Sequence, residues 1–363
     1  MTGRVMPTVV RAADLGTIKQ APEDFLVREV QTPSTVSAEV ATHRYLELRK
    51  SGLTTTEAVQ RLAAMLSIPE SSVTYSGRKD EDGITEQLVA VPIDGRVDEL
   101  ESTAQPSAGS WIAVRHHSYG GTPLRIGELD GNSFVVVVRN LPPEVAADLA
   151  DAKRINLFFL NYYDTQRFGV PGGPKRTHLV GRALLEGDYD TAVAEVAGLM
   201  SAESSAAREW AGPSSAFFDS LDDRIVAFYF SAAESAAWNE SLADVVLDQA
   251  RGSVTELEVD ALRYVCTPRQ ETVLAVLVAL PELDYRRYSY ARGRVATTPI
   301  RRPTVVQTLV SVRRDALPEG CARLSFFLPS GCYATMAIRQ LLLGAAPRSD
   351  SERTAPNARP PHG

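Results

Sequence analysis

At 363 residues the chain is too long for one simple core, and 44% apolar against 23% charged side chains predicts a folded, soluble protein of two domains. Its apolar runs are short, "VLAVLVALP" from Val273 among them, and the N-terminus has no continuous apolar stretch, so neither a membrane span nor a secretory signal is expected. The net charge of −7 disfavours a nucleic-acid partner only as a total, and Cys266, Cys321 and Cys332, without C-x-x-C spacing, predict reduced thiols and a cytoplasmic location.

In chain order, "EDFLVREV" (Glu23 to Val30) alternates as a half-buried strand does, and "RYLELRKSG" (Arg44 to Gly52) follows as a second. "TTTEAVQRLAAMLSI" opens with a Thr54-to-Glu57 capping box and sets Ala58, Val59, Leu62, Met65 and Leu66 on one helix face. "SVTYSG" and "ITEQLVAVPI" read as strands flanking a charged turn, "YSGRKDEDGITEQ" (Tyr75 to Gln87). "GNSFVVVVRNL" is a buried strand, "PPEVAADLADAKR" a helix starting at its prolines, and "INLFFLNYYD" another strand. After Tyr189 the texture turns Ala-, Ser- and Glu-rich and helical, and strand-like segments return at "TVVQTLVSV" and "LSFFLPSG". The pattern predicts an α+β domain interrupted by a largely helical insertion, with a disordered Pro-, Ser- and Arg-rich end over 346–363.

Charge is unevenly spread. From Tyr285 to Arg314 there are eight arginines and no acid, with three tyrosines interleaved at the start. Guanidinium groups pair with phosphates and aromatic faces stack on bases, so the stretch suits a single-stranded or irregular RNA. A solvated segment balanced by acidic helices would carry the same composition. The five histidines show no metal spacing, "GVPGGPK" does not fit a phosphate loop, and "DEDG" lacks the closing acid of a calcium loop, so no metal site is expected. What remains is the carboxylate of Lys79-Asp80. A carboxylate beside cations stays ionised and can attack an electron-poor carbon such as the anomeric carbon of a sugar, although acids in turns are more often caps.

"YSGRKDEDGITEQ" is similar to the signature G-x-K-D-x-x-A-x-T-x-Q of the TruD family of RNA pseudouridine synthases. Gly77, Lys79, Asp80, Thr85 and Gln87 match, with Gly83 in place of the alanine. "IKQAPEDFLVREV" resembles the family's K-x-x-P-E-D-F-x-V-x-E segment, and "LRIGELDGNSFVVVVR" its L-x-x-G-x-L-x-G-N-x-F strand. "NYYDTQRFG", "FSAAESAAWN" and "LPSGCYAT" resemble N-Y-F-G-x-Q-R-F-G, S-A-x-R-S-x-x-F-N and L-P-x-G-S-F-A-T. The blocks run in one order from Lys19 to Thr335.

The resemblance implies an α+β pseudouridine-synthase core with a mixed, mainly antiparallel sheet over 1–186 and 305–345, and a mostly helical α/β insertion over 187–304. It implies an isomerase acting on a uridine of tRNA, uridine 13 in the family, without cofactor or metal, and a monomer. Asp80 would be the nucleophile and Lys19 the cation that keeps it ionised. Phe25, Asn161 and Tyr333 would bracket the flipped base, with Tyr163 on the same strand face as Asn161, and Gln166, Arg167 and Phe168 bracing the pocket from behind. Arg286, Arg287, Arg292 and Arg294 would line an RNA cleft between core and insertion. Against the pattern, Tyr163 and Tyr333 replace phenylalanines, Asp164 a glycine and Glu234 an arginine, which predicts a more polar pocket and weaker attraction for RNA. Drift accounts for these departures, as would a specialised paralogue supplying pseudouridine for C-nucleoside biosynthesis. A non-catalytic RNA-binding or tRNA-folding protein would have no need of Lys79-Asp80.

Overall fold

The structure, a computed structural model, describes residues 8–93, 109–170, 172–250, 254–291, 293–313 and 317–345. Arg292, Arg314 and the 346–363 tail lie outside the described residues.

The N-terminal half supplies β1 (Thr8–Arg11), β2 (Phe25–Val30), β3 (His43–Ser51), α1 (Thr55–Leu66), β4 (Thr74–Tyr75), β5 (Ile84–Pro92), β6 (Trp111–Gly120), β7 (Gly131–Val138), α2 (Pro143–Ala152) and β8 (Arg154–Leu160). Thr54 caps α1, accepting from the Glu57 backbone N–H while the Glu57 carboxylate accepts from Thr54. One expected core position of α1 is wrong: Met65 is 44% exposed and Ala63 is buried instead. The "SVTYSG" strand shrinks to the two residues of β4. The "INLFFLNYYD" strand stops at Leu160, because the Tyr162 N–H turns back onto the Leu160 carbonyl at 2.9 Å and its ring leaves the sheet, where its hydroxyl donates to Val265 O.

Five helices follow: α3 (Thr177–Glu186), α4 (Tyr189–Gly198), α5 (Ser204–Glu209), α6 (Ser214–Ser220) and the long α7 (Asp223–Ala250). They bury a core of their own around Val180, Phe217, Phe218, Val226 and Phe230. After α7 come β9 (Thr255–Val259), β10 (Leu262–Cys266), α8 (Gln270–Ala279), the ribbon strands β11 (Glu282–Ala291) and β12 (Arg294–Pro303), then β13 (Val305–Arg313), β14 (Ala322–Pro329) and α9 (Ala334–Ala345).

The main sheet runs β6-β3-β5-β2-β7-β14-β13-β8, with β4 paired onto β5. Of its pairings only β2–β5 is parallel, so the sheet is mixed and mainly antiparallel, and the fold is α+β as expected. Phe25, Val27, Phe134, Val136, Leu324, Phe326 and α9 share one core, and α1 closes a second against Leu46, Leu48, Val89 and Ile112. Between them β2 and β5 hold the charged turn over the sheet centre.

The ribbon β11–β12 pairs from Glu282↔Pro303 out to Ala291↔Arg294. Its outer half lies on α7, where Tyr288 stacks on Phe230 at 5.7 Å and Tyr290 at 6.3 Å. Its root reaches the segment just past β8, where Tyr285 stacks on Tyr163. All three tyrosines read as base-stacking platforms are thus engaged within the protein. The arginines differ: Arg286, Arg287 and Arg294 are exposed and form no ion pair among the described residues.

Candidate active site

Lys19 adopts φ 59°, a conformation lysine rarely takes, just before β2. From there its Nζ reaches Asp80 Oδ2 at 2.7 Å and sits 4.4 Å from the centre of the Phe25 ring. Asp80 opens into a cavity of about 160 Å³ whose wall also includes Phe25, Arg78, Gln166, Tyr333 and Thr335. Asp80, Lys19, Phe25 and Tyr333, from four separate segments, are therefore brought together. Gln166, expected behind the pocket, is exposed and in its wall, whereas Phe168 is buried against His178.

The turn carrying Asp80 is held from below by charges that the sequence pattern did not reveal. Lys50, with no exposed surface, donates its Nζ to the carbonyls of Leu53 at 2.8 Å, Asp80 at 2.7 Å and Lys79 at 3.3 Å. Burial pushes its pKa down to about 8, against the pull of Asp80, Glu81 and Glu57. Lys79 Nζ lies 2.5 Å from Glu29 Oε2, both side chains buried, a charge-to-charge approach rather than an aligned hydrogen bond. Lys79 thus spends its ammonium on Glu29 in the interior, while the residue also contributes to the wall of the cavity. Thr55 Oγ1 accepts from the Lys79 backbone N–H, and the Gln87 amide bonds both Thr55 and Gly77 O. At Gly83 an added Cβ would meet the Phe25 carbonyl at 2.4 Å, so the close passage of β2 under the turn requires glycine there.

Both missed charges had a signal. Lys50 continues the inward phase Leu46, Leu48, and Glu29 continues Phe25, Val27. A charge in the core phase of a strand end is buried unless the strand bends, and then it needs a partner.

The structure does not bring Asn161 to the cavity wall. Its side chain is buried, with Nδ2 donating to Pro303 O and Oδ1 accepting from Arg302. Nor does it share a strand face with Tyr163, since β8 has ended. Tyr163 is 8% exposed, with Arg302 3.9 Å from its ring centre and Tyr285 stacked at 5.5 Å, so little of its ring is open to a base. Its backbone is clamped by Asn239 through bonds in both directions at 2.9 Å. Arg167 bonds Ser235 and approaches Tyr285, away from Asp80. Tyr333 meets Tyr163 edge-on at 5.9 Å, and burial pushes its hydroxyl up to about 12, so it stays neutral.

Of the charge departures, Asp164 loses its expected effect and Glu234 finds a structural role. Asp164 is buried, bonded to Thr335 and ion-paired to Arg339 at 2.6 Å, so it adds no free charge to the cleft. Glu234 accepts from the Arg286 backbone N–H and anchors the ribbon to α7, but its carboxylate keeps its charge.

Comparison with known proteins supplies the context. Residues 11–215 match the family model "tRNA pseudouridine synthase D (TruD)". A relative from Geobacter sp. (strain M21) called tRNA pseudouridine synthase D is 36% identical over 185 residues, 50% of this chain and 44% of that protein. For this and the similar Geobacter sulfurreducens protein, at 38%, the match spans less than half of the relative's length. A third, from Pseudoalteromonas atlantica, is 28% identical over 90% of this chain and 92% of its own. A Methanosarcina mazei structure described as a TruD protein superposes with a TM-score of 0.57 over 93% of this chain at 18% identity, a likeness of fold.

Proposed function

This chain belongs to the TruD family of tRNA pseudouridine synthases, and from that premise we propose that it isomerises a uridine of tRNA to pseudouridine, with Asp80 as nucleophile. The observation that carries the reading is Asp80, paired to Lys19 at 2.7 Å, in the wall of a cavity shared with Phe25 and Tyr333. Lys19 holds the Asp80 carboxylate in place through the ion pair, and the carboxylate attacks the ribose of the flipped nucleotide. The uracil leaves as its anion and turns within the cavity; its C5 then attacks the ribose carbon, breaking the bond to Asp80 and restoring the carboxylate. The C5 proton is lost while N1 gains one, with Phe25 and Tyr333 holding the base by their ring faces and edges throughout. Asp80 owes its position to backbone carbonyls tethered by Lys50, a preorganisation that costs nothing at the moment of reaction.

The core over 1–186 and 305–345 does the chemistry, and the insertion over 187–304 presents the exposed arginines of the ribbon to the RNA backbone. Uridine 13 is the family's position and the first to examine. Asp80→Asn keeps size and hydrogen bonding but removes the anion. Pseudouridine formation on total tRNA should fall to background while binding of the same RNA persists. Substantial pseudouridine formation by this variant would refute the nucleophile assignment.

A further inference from the structure

Beside the cavity of Asp80 lies a larger one, about 460 Å³. Its wall carries Arg167, Arg287, Arg301 and Arg302 and no acid. Cys332 and Tyr333 belong to both walls, so the two spaces adjoin across one short segment. Of the four arginines, Arg301 is answered by Glu282 and Asp284 at 3.6 and 3.4 Å. Arg167 and Arg302 pair with no carboxylate among the described residues.

Arg302 is the telling residue. It is only 7% exposed, yet its Nε is buried without a hydrogen-bond partner. Its Nη2 donates to Asn161 O at 3.0 Å and Oδ1 at 2.9 Å, and its guanidinium lies 3.9 Å from the Tyr163 ring centre and 4.8 Å from that of Trp238. The rings fix the plane of the guanidinium without neutralising it. A purely structural arginine bracing Asn161 would not require its neighbour Arg167 to be left without an acid too. A buried cation with spare donors, facing a cavity lined by other cations, is an anion site.

The anion must be one that stands beside the target nucleotide. We propose that this second cavity is a subsite for the phosphodiester adjoining the uridine held at Asp80, with Arg302 and Arg167 as its donors and Tyr163 as the platform that orients Arg302. The inference rests on the tRNA-isomerising reading. An RNA backbone supplies a phosphate at one-nucleotide spacing, and a fork of guanidinium donors matches it. Gripping that phosphate would hold the target ribose against Asp80 while the base is detached.

The test uses the full-length protein and its mapped substrate RNA carrying a single neutral methylphosphonate. The linkage is placed immediately before the target uridine, immediately after it, or two steps away. Wild-type enzyme should lose ten- to a hundredfold in single-turnover rate at one of the two adjoining linkages and little at the distant one. Arg302→Met should lose a similar factor on native RNA and nothing further on the RNA neutral at that linkage. Native rates at both adjoining neutral linkages would overturn the proposal, and so would fully additive losses of variant and linkage. The wild-type arm needs no substitution, so it is decisive by itself even where Arg302→Met fails to fold. Wild-type enzyme that forms no pseudouridine on any native tRNA refutes the underlying reading, and this subsite with it.

Discussion

Replacing Lys50 with methionine keeps most of the side-chain volume and removes the ammonium that ties down the Asp80 turn. The charge is held at the expense of folding. Its pKa falls from 10.5 to about 8 on burial, a difference worth about 3 kcal/mol. Against that stand three hydrogen bonds from a charged donor, each worth roughly 1.5 kcal/mol. Removing both effects together should leave Lys50→Met about 1 kcal/mol less stable than wild type. Turnover should suffer far more, since a shift of the Asp80 backbone by about 1 Å costs on the order of a hundredfold. The pH dependence separates the two effects. Below pH 8 the ammonium is present folded and unfolded, and the burial cost is felt in full. Between about 8 and 10.5 the folded protein sheds the proton first, so this group's contribution to stability improves as pH rises. Activity should move the other way, because a neutral amine has two N–H donors for three carbonyls. Single-turnover pseudouridine formation and thermal unfolding, each followed from pH 7 to 10, read both. Wild-type turnover in Lys50→Met, with an unchanged alkaline limb, would refute the reasoning.

Other outcomes follow from the same geometry. Lys79→Ala strands the buried Glu29 carboxylate, so it should cost about 3–5 kcal/mol in stability with no loss of salt-sensitive RNA affinity in the folded fraction; near-native unfolding would contradict the ion pair. Changing Tyr163 to Phe should leave turnover within a few-fold, because little of its ring is open, and a hundredfold loss in a rate assay would mean that its hydroxyl touches substrate. Substituting Arg286, Arg287 and Arg294 together with Gln should flatten the salt dependence of tRNA binding by up to about three counterions, read as the slope of log affinity against log salt. An unchanged slope would make the ribbon arginines a merely solvated face.

Much of this site was legible because its motif residues are also its construction. Gly77, Lys79 and Gln87 flank Asp80 in sequence and hold its turn in space, so a linear pattern captured the assembly. What stayed hidden depended on contacts across the chain. Asn161 and Tyr163 looked like a strand pair, but the burial of Tyr162 against β10 ended the pleat and turned both into supports for Arg302. The tyrosines of the ribbon promised free stacking faces, and α7, whose position no local pattern predicts, covered them. Charge signs were readable; which charges were already answered was not, as Asp164 with Arg339 illustrates.

The order of strands in the main sheet also sets a schedule for synthesis. β6, β3, β5, β2 and β7 all lie within residues 25–138, so the half-sheet bearing Lys19 and Asp80 can form from the first part of the chain. The partner of β7 on its other side is β14, which begins at Ala322. At 5–20 residues per second a nascent chain waits roughly 10–40 s before that strand exists. Through this interval the edge of β7 is open, offering unpaired N–H and C=O groups and the apolar Val135 and Val137 to any passing strand. The Lys19–Asp80 pair is thus assembled long before the wall supplied by Tyr333 and Thr335. A chain truncated after β12 would hold the proposed nucleophile without the wall that Tyr333 and Thr335 supply, and its exposed strand edge would be a target for chaperones rather than for RNA.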